Sequence, residues 1–440
     1  MYNGIKQLIL IYSHTLSNRF KYVTELIFKS VLNCNYELTD DLNYFQSKDI
    51  PKIAYSTTTA NTQVYIVSNP ILFETDIKSE LPIAKKEFED FPKFFASQTS
   101  DFLGYDIFAM VFYFASRYEE YLPTETDKHQ RFQSENSIAF QYNCLHIPFL
   151  NNAILDFSKK LKQTFPSIEL KKRSFNFLST IDIDNAFAYA NKGLKRNIGG
   201  FVKDVFSLRL KNVAERLISN LNEKKDPYNT FEFINQLSDE TKTALQYFVL
   251  IGDYSDYDKN PHFENKGFQQ LLKSLLSKFK LGLHPSYFAF SKTEKINEEL
   301  TRLEFILKDK VTSTRCHFLR INFPETYRAF IKNGITDDYT MIYASQCGFR
   351  TGLCMPYKWF DLERNEQTPL TIHTSVLMEG TLRDYNKLSS QNALNTSLQL
   401  LAEVKKHGGE FISIFHNDSF TKNNSEWVKL YQSILKESKQ

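Results

Sequence analysis

The chain has 440 residues, 42% of them hydrophobic and 24% charged, with a net charge of +3. That length exceeds what one hydrophobic core usually organises, so two domains are expected, and the charge bias is too small to argue for nucleic acid. The five cysteines are odd in number, scattered and without a C-x-x-C pair, which argues against a disulfide framework or a thiolate zinc site and fits a reducing compartment.

The apolar run Leu8 to Ile11 is shorter than a signal-peptide core and is not followed by a small-residue cleavage site. A short strand is expected over Gln63 to Val67. The most apolar stretch, Ile107 to Ala115, is too short to span a bilayer and predicts a buried helix, with Arg117, Glu119 and Glu120 near its mouth. A soluble cytoplasmic protein follows from these features. A second helix is expected from about Asn152 to Phe165, and near residue 170 the chain changes character.

From there short apolar runs alternate with amphipathic helices. Strands are expected at Phe175 to Ile183, Gln246 to Gly252, Leu281 to Leu283, Val311 to Phe318, Met341 to Tyr343, Leu370 to Ile372 and Glu410 to Phe415. Helices are expected at Phe268 to Phe279 and Ile296 to Leu307. This order predicts a parallel α/β sheet or barrel, whose chemistry would sit at the C-terminal ends of the strands. The expected division is an N-terminal α/β domain over residues 1–170 and a second domain over 171–440. The second carries a helical insertion near 192–232. Within that insertion, residues 199–222 show one amphipathic helix with basic residues between its apolar positions. Such a helix fits a solvated face over a packed apolar stripe, or a basic surface that meets an anionic, lipid-linked or nucleotide-linked glycan.

The candidate chemistry begins in STIDIDNAF, residues 179–187. Asp182 and Asp184 are two apart in a strand and so share a face. Paired carboxylates call for a cation or a shared proton, although an exposed strand end or a helix cap would also use them. In GLHPSY, residues 282–287, His284 ends a strand that Pro285 stops, and Ser286 and Tyr287 follow as outer donors or loop residues. Imidazole with carboxylate suits zinc or a similar divalent ion. RCHFLR, residues 315–320, places His317 near the same rim. GFRTGLCMPY, residues 348–357, contains Arg350, and ISIFHND, residues 412–418, runs directly into His416 and Asn417.

The order D-x-D, H-P-S, G-F-R, apolar-H-N resembles the NodB-type polysaccharide deacetylases, carbohydrate esterase family 4 and its relatives. It is most similar to a Bacteroidetes subgroup in which an N-terminal domain carries sequences like RYEEY, here Arg117 to Tyr121. The same domain carries a D-x-H-x-R-F element, here Asp127, His129, Arg131 and Phe132. The resemblance implies a distorted (β/α)7 barrel preceded by a smaller α/β domain. It further implies a metal-dependent hydrolase that removes acetyl groups from N-acetylated sugars of a cell-surface polysaccharide or its precursor. By motif, Asp182 matches the general base, Asp184 and His284 two metal ligands, Arg350 the arginine that orients the base, and His416 the general acid. Ser286, Tyr287 and Asn417 are expected to meet substrate. The family's second metal histidine falls at Phe288, and His317 is the expected replacement, with zinc the expected ion. If nothing replaces it, the chain would be a catalytically impaired carbohydrate-binding protein on the same fold.

Overall fold

The computed structural model describes residues 8–439 except 59, 82, 84, 87–91, 98–100 and 172. Two separate parallel arrangements organise them. The first is a four-stranded sheet, ordered β2-β1-β3-β4, from β1 (Leu8–Ser13), β2 (Asn35–Thr39), β3 (Lys52–Ser56) and β4 (Val64–Val67). A two-stranded pair, β5 (Lys85–Lys86) and β6 (Lys93–Phe94), follows.

The helix expected over Ile107–Ala115 is present, and each of its nine residues is buried. Asp106 caps it by accepting from the Ala109 amide at 3.0 Å and receives the Tyr55 hydroxyl at 2.7 Å. A Pro-free, nearly uniform apolar segment can be a helix buried on all sides only where every backbone group is satisfied within it, and the Asp cap supplies the missing end. The next helix runs Phe149–Thr164.

The second sheet has nine strands in the order β12-β13-β11-β10-β9-β8-β7-β15-β14. They are β7 (Asn176–Ile183), β8 (Ala244–Leu250), β9 (Lys280–His284), β10 (Ser313–Thr314), β11 (Asp337–Asp338), β12 (Tyr357–Asp361), β13 (Glu366–Ile372), β14 (Leu377–Met378) and β15 (Glu410–His416). All neighbours are parallel except the β12–β13 hairpin. The fold is thus α/β with parallel sheets. The sheet also curls: Phe248 of β8, Tyr339 after β11 and Ile412 of β15 form one buried cluster although four strands lie between β11 and β15 in the order. The His373 amide bonds to Asp338 O at 2.8 Å, and three residues later the Val376 amide bonds to Ile412 O at 2.9 Å. No ladder joins β12 to β14 among the described residues.

Gly282 shows how tightly the curl is packed. A Cβ there would lie 2.5 Å from Phe248 Cε1 and 2.8 Å from Ser313 Oγ, so the residue two before His284 has room for hydrogen alone.

Three expected elements differ from the structure. Of Val311 to Phe318 only Ser313–Thr314 is strand. Phe318 and Leu319 both adopt positive φ, which ends extended pairing and turns the chain into the rim. Met341 to Tyr343 is not a strand. Asp338 accepts the Thr340 amide at 3.1 Å and the Tyr327 hydroxyl at 2.8 Å, bending the chain after two paired residues. The single helix expected over 199–222 is two helices, Leu194–Phe206 and Leu210–Leu221, broken where Leu208 takes φ 56°. Their large apolar residues other than Val213 are exposed rather than packed.

No helix among the described residues is long and apolar enough to cross a membrane, and the five cysteines are free. One hydrophobic cluster includes residues from both sheets, from Ile9 to Leu435.

Candidate metal centre

Parallel strands bring their C-terminal ends to one rim, and five of the sequence candidates meet there. β15 pairs with β7 so that His416 stands opposite Asp182; the same row runs through Phe248 of β8 to Gly282 of β9, and His284 ends β9 two residues beyond it. Asp184 lies at the centre. His284 Nε2 is 3.1 Å from its Oδ1, His317 Nε2 is 3.4 Å from its Oδ2, and His416 Nε2 is 3.7 Å from Oδ2.

Each imidazole is held by its other nitrogen. His284 Nδ1 is 2.6 Å from Arg315 O, so that nitrogen must carry the donated proton and Nε2 is left to face the cleft. His317 Nδ1 is 2.9 Å from Asp258 Oδ1, and His416 Nδ1 is 2.7 Å from Glu379 Oε1. Carbonyl or carboxylate partners on the far nitrogen are what orient metal-binding histidines and raise their basicity.

Asp184, His284 and His317 offer ligand atoms all within 4.8 Å of one another. Two ligands about 2.1 Å from a tetrahedral zinc are roughly 3.4 Å apart, close to the 3.1 and 3.4 Å separations of the two imidazoles from Asp184. Asp184 Oδ1 is a buried oxygen with no hydrogen-bond partner. Two oriented imidazoles, one carboxylate and an unsatisfied oxygen fit a divalent ion. His317 thus lies within ligand reach of Asp184 and His284, beyond a two-residue strand rather than at the end of a long one. Its amide still bonds to Pro285 O at 3.1 Å, carrying the pairing with the β9 segment into the turn.

The electrostatics follow from this packing. Burial opposes a charge on Asp184, but the neighbouring His317 and His416 more than offset it, and its carboxyl is held well below the usual range. Burial likewise opposes the imidazolium of His317, yet Asp184 and Asp258 raise it to about 9. His416 is raised well above an ordinary histidine, with Glu379 and then Asp184 outweighing burial.

Arg350 is not where the sequence reading put it. Its Nε bonds to Glu120 Oε1 at 2.9 Å and its Nη1 to Ile342 O at 3.0 Å, with the guanidinium over the Tyr343 ring. Glu120 comes from the RYEEY segment and also takes Arg117 at 2.7 Å, so Arg350 is consumed in a buried ion network beside the site. The arginine on Asp182 is Arg315, whose Nη1 donates to Oδ1 at 2.7 Å while its Nε donates to Tyr339 O at 3.1 Å. Asp182 Oδ2 is 3.9 Å from His284 Nε2.

Ser286 and Tyr287 are also placed elsewhere. Ser286 is buried with its amide on Glu299 Oε2 at 2.8 Å and its hydroxyl on the same carboxyl. Tyr287 stacks on Tyr257 at 3.8 Å and meets His129 Nδ1 through its hydroxyl at 3.1 Å. Neither lines the cleft. Asn417 does, but its amide nitrogen is committed to Asn185 O at 3.1 Å and Tyr228 O at 2.9 Å, which makes it a brace for the rim. Phe288 is partly exposed and outside the cluster.

The cleft over the cluster holds about 260 Å³ and is lined by Asp182, Asp184, the three histidines, Arg131, Met378 and Tyr385 among others. A second cleft of about 200 Å³ adjoins it, sharing Arg131, Leu319, Ala344 and Tyr385. Arg131, from the D-x-H-x-R-F element, reaches the rim by bonding to Phe318 O at 2.9 Å and Asp127 Oδ2 at 2.8 Å. Sequence reasoning passed over Arg315, Asp258 and Glu379. Arg315 lies inside the quoted RCHFLR string, while Asp258 and Glu379 follow the C-terminal ends of β8 and β14, where a search restricted to strand-end loops would find them.

Residues 9–166 match a family model described as a family of unknown function, DUF7033. No curated protein matches the chain in sequence. Among solved structures, a provisionally assigned polysaccharide deacetylase from Mycobacterium smegmatis aligns with a TM-score of 0.39 and 13% identity, over 61% of this chain and 88% of that one. A polysaccharide deacetylase from Bacillus cereus gives a TM-score of 0.31 and 13% identity, over 60% and 89%. Dihydropteroate synthase from Yersinia pestis gives 0.29 and 7%, over 60% and 94%. Likenesses this distant leave the function to the geometry of the site.

Proposed function

We propose that this chain is a metal-dependent amidohydrolase of the polysaccharide deacetylase kind, removing acetyl groups from N-acetylated sugars of a cell-surface polysaccharide or its precursor. The observation that carries the reading is the convergence of Asp184, His284 and His317 within ligand reach, flanked by Asp182 on one side and His416 on the other. The motif order D-x-D, H-P-S, apolar-H-N supports it independently. Residues 171–440 would form the catalytic domain as a distorted barrel, with residues 1–170 a second domain that lends Arg131 to the cleft.

Asp184, His284 and His317 would hold a divalent ion, zinc first among them. That ion would polarise the acetamide carbonyl and acidify a bound water. Asp182 would take the proton of the attacking water, with one oxygen fixed by Arg315 and the other turned towards His284. His416, kept protonated by Glu379, would give a proton to the departing amine, which leaves poorly as an anion. Acetate and a free amino sugar result. The adjoining cleft beside Arg131 and Tyr385 would take the neighbouring sugar.

The test is acetate release from N-acetylglucosamine oligomers by zinc-loaded protein, alongside Asp182→Asn. Release by the wild type, and a loss of at least about a hundredfold in the variant with zinc still bound, is the expected result. A protein that binds zinc and oligomers but releases no acetate from any N-acetylated sugar would leave a carbohydrate-binding role instead.

A further inference from the structure

The helical hairpin between β7 and the helix at Phe231–Thr241 is built inside out. Asp204 and Arg216, an ion pair at 2.8 Å, occupy its seam, and Asn197 donates to Asn220 at 2.9 Å beside them. Arg216 also lies over the Tyr189 ring, and Gly200 leaves the space it fills. The apolar residues point the other way. Leu194, Ile198, Phe201, Val202 and Val205 fall at helical spacing on one face, and Leu210, Leu217, Ile218 and Leu221 on another. Eleven of the nineteen exposed large hydrophobic residues among those described lie between Leu194 and Leu221. At the tip Phe206 is 84% and Leu208 83% exposed.

The charge around this surface is as uneven as its polarity. Residues 192–225 hold nine Lys or Arg and three Asp or Glu, in a chain whose net charge is only +3. Lys195, Lys203 and Arg209 make no ion pair among the described residues and stand next to the apolar positions. Lysine beside exposed leucine and phenylalanine is disfavoured at protein interfaces, whose cores exclude lysine. It is the composition of helices that lie in the interface of an anionic bilayer.

We infer that the 194–221 hairpin docks the protein on an anionic lipid surface, its tip entering the headgroup region and its basic residues meeting lipid phosphates. The hairpin leaves the sheet just past Asp184. Both of its ends are clamped to the cleft rim: Asp226 takes the amides of Ala188, Tyr189 and Ala190 at 2.7–2.8 Å, and Asn417 bonds to both Asn185 O and Tyr228 O. A docked hairpin would bring the cleft to the membrane. The inference goes beyond the deacetylase reading and does not depend on it.

Co-flotation of the full chain with vesicles tests it, using phosphatidylcholine alone and phosphatidylcholine mixed with phosphatidylglycerol. The expected result is binding to the mixed vesicles only, weakened by salt. Combined Phe206→Ser, Leu208→Ser and Leu210→Ser, and separately Lys195→Glu with Lys203→Glu, should each lower the bound fraction roughly tenfold or more while the melting temperature stays put. Asp184→Ala should float as the wild type does, so a failed metal site and a failed docking surface give different results. Equal binding to neutral vesicles, no binding to either, or a wild-type dimer that the serine variant turns to monomer without any vesicle binding would each overturn the inference.

Discussion

Arg315 Nη1 stands 2.7 Å from Asp182 Oδ1, and the same guanidinium covers the Phe248 ring at 4.4 Å. Arg315 is fully buried, so this fixed charge reaches Asp182 with little solvent screening. Arg315, not Arg350, is thus the arginine that holds Asp182, and Arg350 is bound to Glu120 instead.

The two arginines should therefore separate experimentally. Arg315→Lys keeps a positive charge but loses the fork that binds Asp182 and Tyr339 O together. It should cut the rate of acetate release by tenfold or more, with a smaller change in KM, as expected for about 1.4 kcal/mol of lost positioning. Arg350→Lys should leave the rate nearly intact and lower the melting temperature, because its partner Glu120 is buried. Steady-state kinetics and thermal unfolding of both variants decide the matter, and an Arg315→Lys enzyme of wild-type rate would remove Arg315 from the site.

Zinc binding should respond to His317 and to its support in graded fashion. His317→Ala removes a ligand atom and is expected to weaken zinc by more than the roughly 10–100-fold typical of losing an outer partner. Asp258→Asn, which weakens the hold on His317 Nδ1 while also touching the bonds from the Tyr287 amide and the Ser255 hydroxyl, should fall in that 10–100-fold range. Titration against a chromophoric chelator gives both affinities, and wild-type zinc affinity in His317→Ala would eliminate the three-ligand centre.

His373, away from the cleft, predicts a pH dependence of stability. It lies 3.0 Å from Asp337 and 2.9 Å from Glu410, and although burial opposes its charge these partners raise it from 6.5 to about 9. A histidine that binds its proton more tightly when folded stabilises fully below pH 6.5, and this contribution is lost as pH rises through about 9. Denaturant unfolding between those pH values should show stability falling by an amount on the order of a few kcal/mol, and His373→Gln should flatten the slope in that window. An unchanged slope would exclude His373 as its source.

Gly282→Ala should destabilise by about 1–3 kcal/mol, since the added methyl would sit 2.5 Å from Phe248 and force one of the two apart. Urea unfolding measures it. Loss of zinc affinity in the same variant would show the strain reaching His284.

Asp182, Asp184, His284 and His416 are legible in the sequence because each ends an apolar run, and parallel strands collect such ends on one rim. The supporting residues are not. Asp258 and Glu379 act by holding a ring nitrogen across the fold, which leaves no period or spacing in the chain. Arg350 misleads because a short G-F-R string carries no record of the Glu120 carboxylate that captures it. Ser286 and Tyr287 mislead for a similar reason: residues beside a ligand in sequence point the other way when the chain turns after Pro285. The 3.6-residue period reveals the amphipathic character of 199–222, but the same period fits apolar faces turned inward or outward. Only the Asp204–Arg216 pair in the seam decides between them.

The register of β7 against β15 has a consequence for how the protein is made. Thr180 and Ser413, bonded at 2.6 Å, are 233 positions apart, so β7 emerges from the ribosome long before one of its two edges can be paired. Until β15 arrives, a strand rich in β-branched and aromatic residues would present an open edge next to Asp182 and Asp184, the kind of surface that invites misassembly and chaperones. His416 enters with that late strand, so the cluster would complete itself only once β15 is made, and a nascent chain stalled short of it would carry Asp182 and Asp184 without His416.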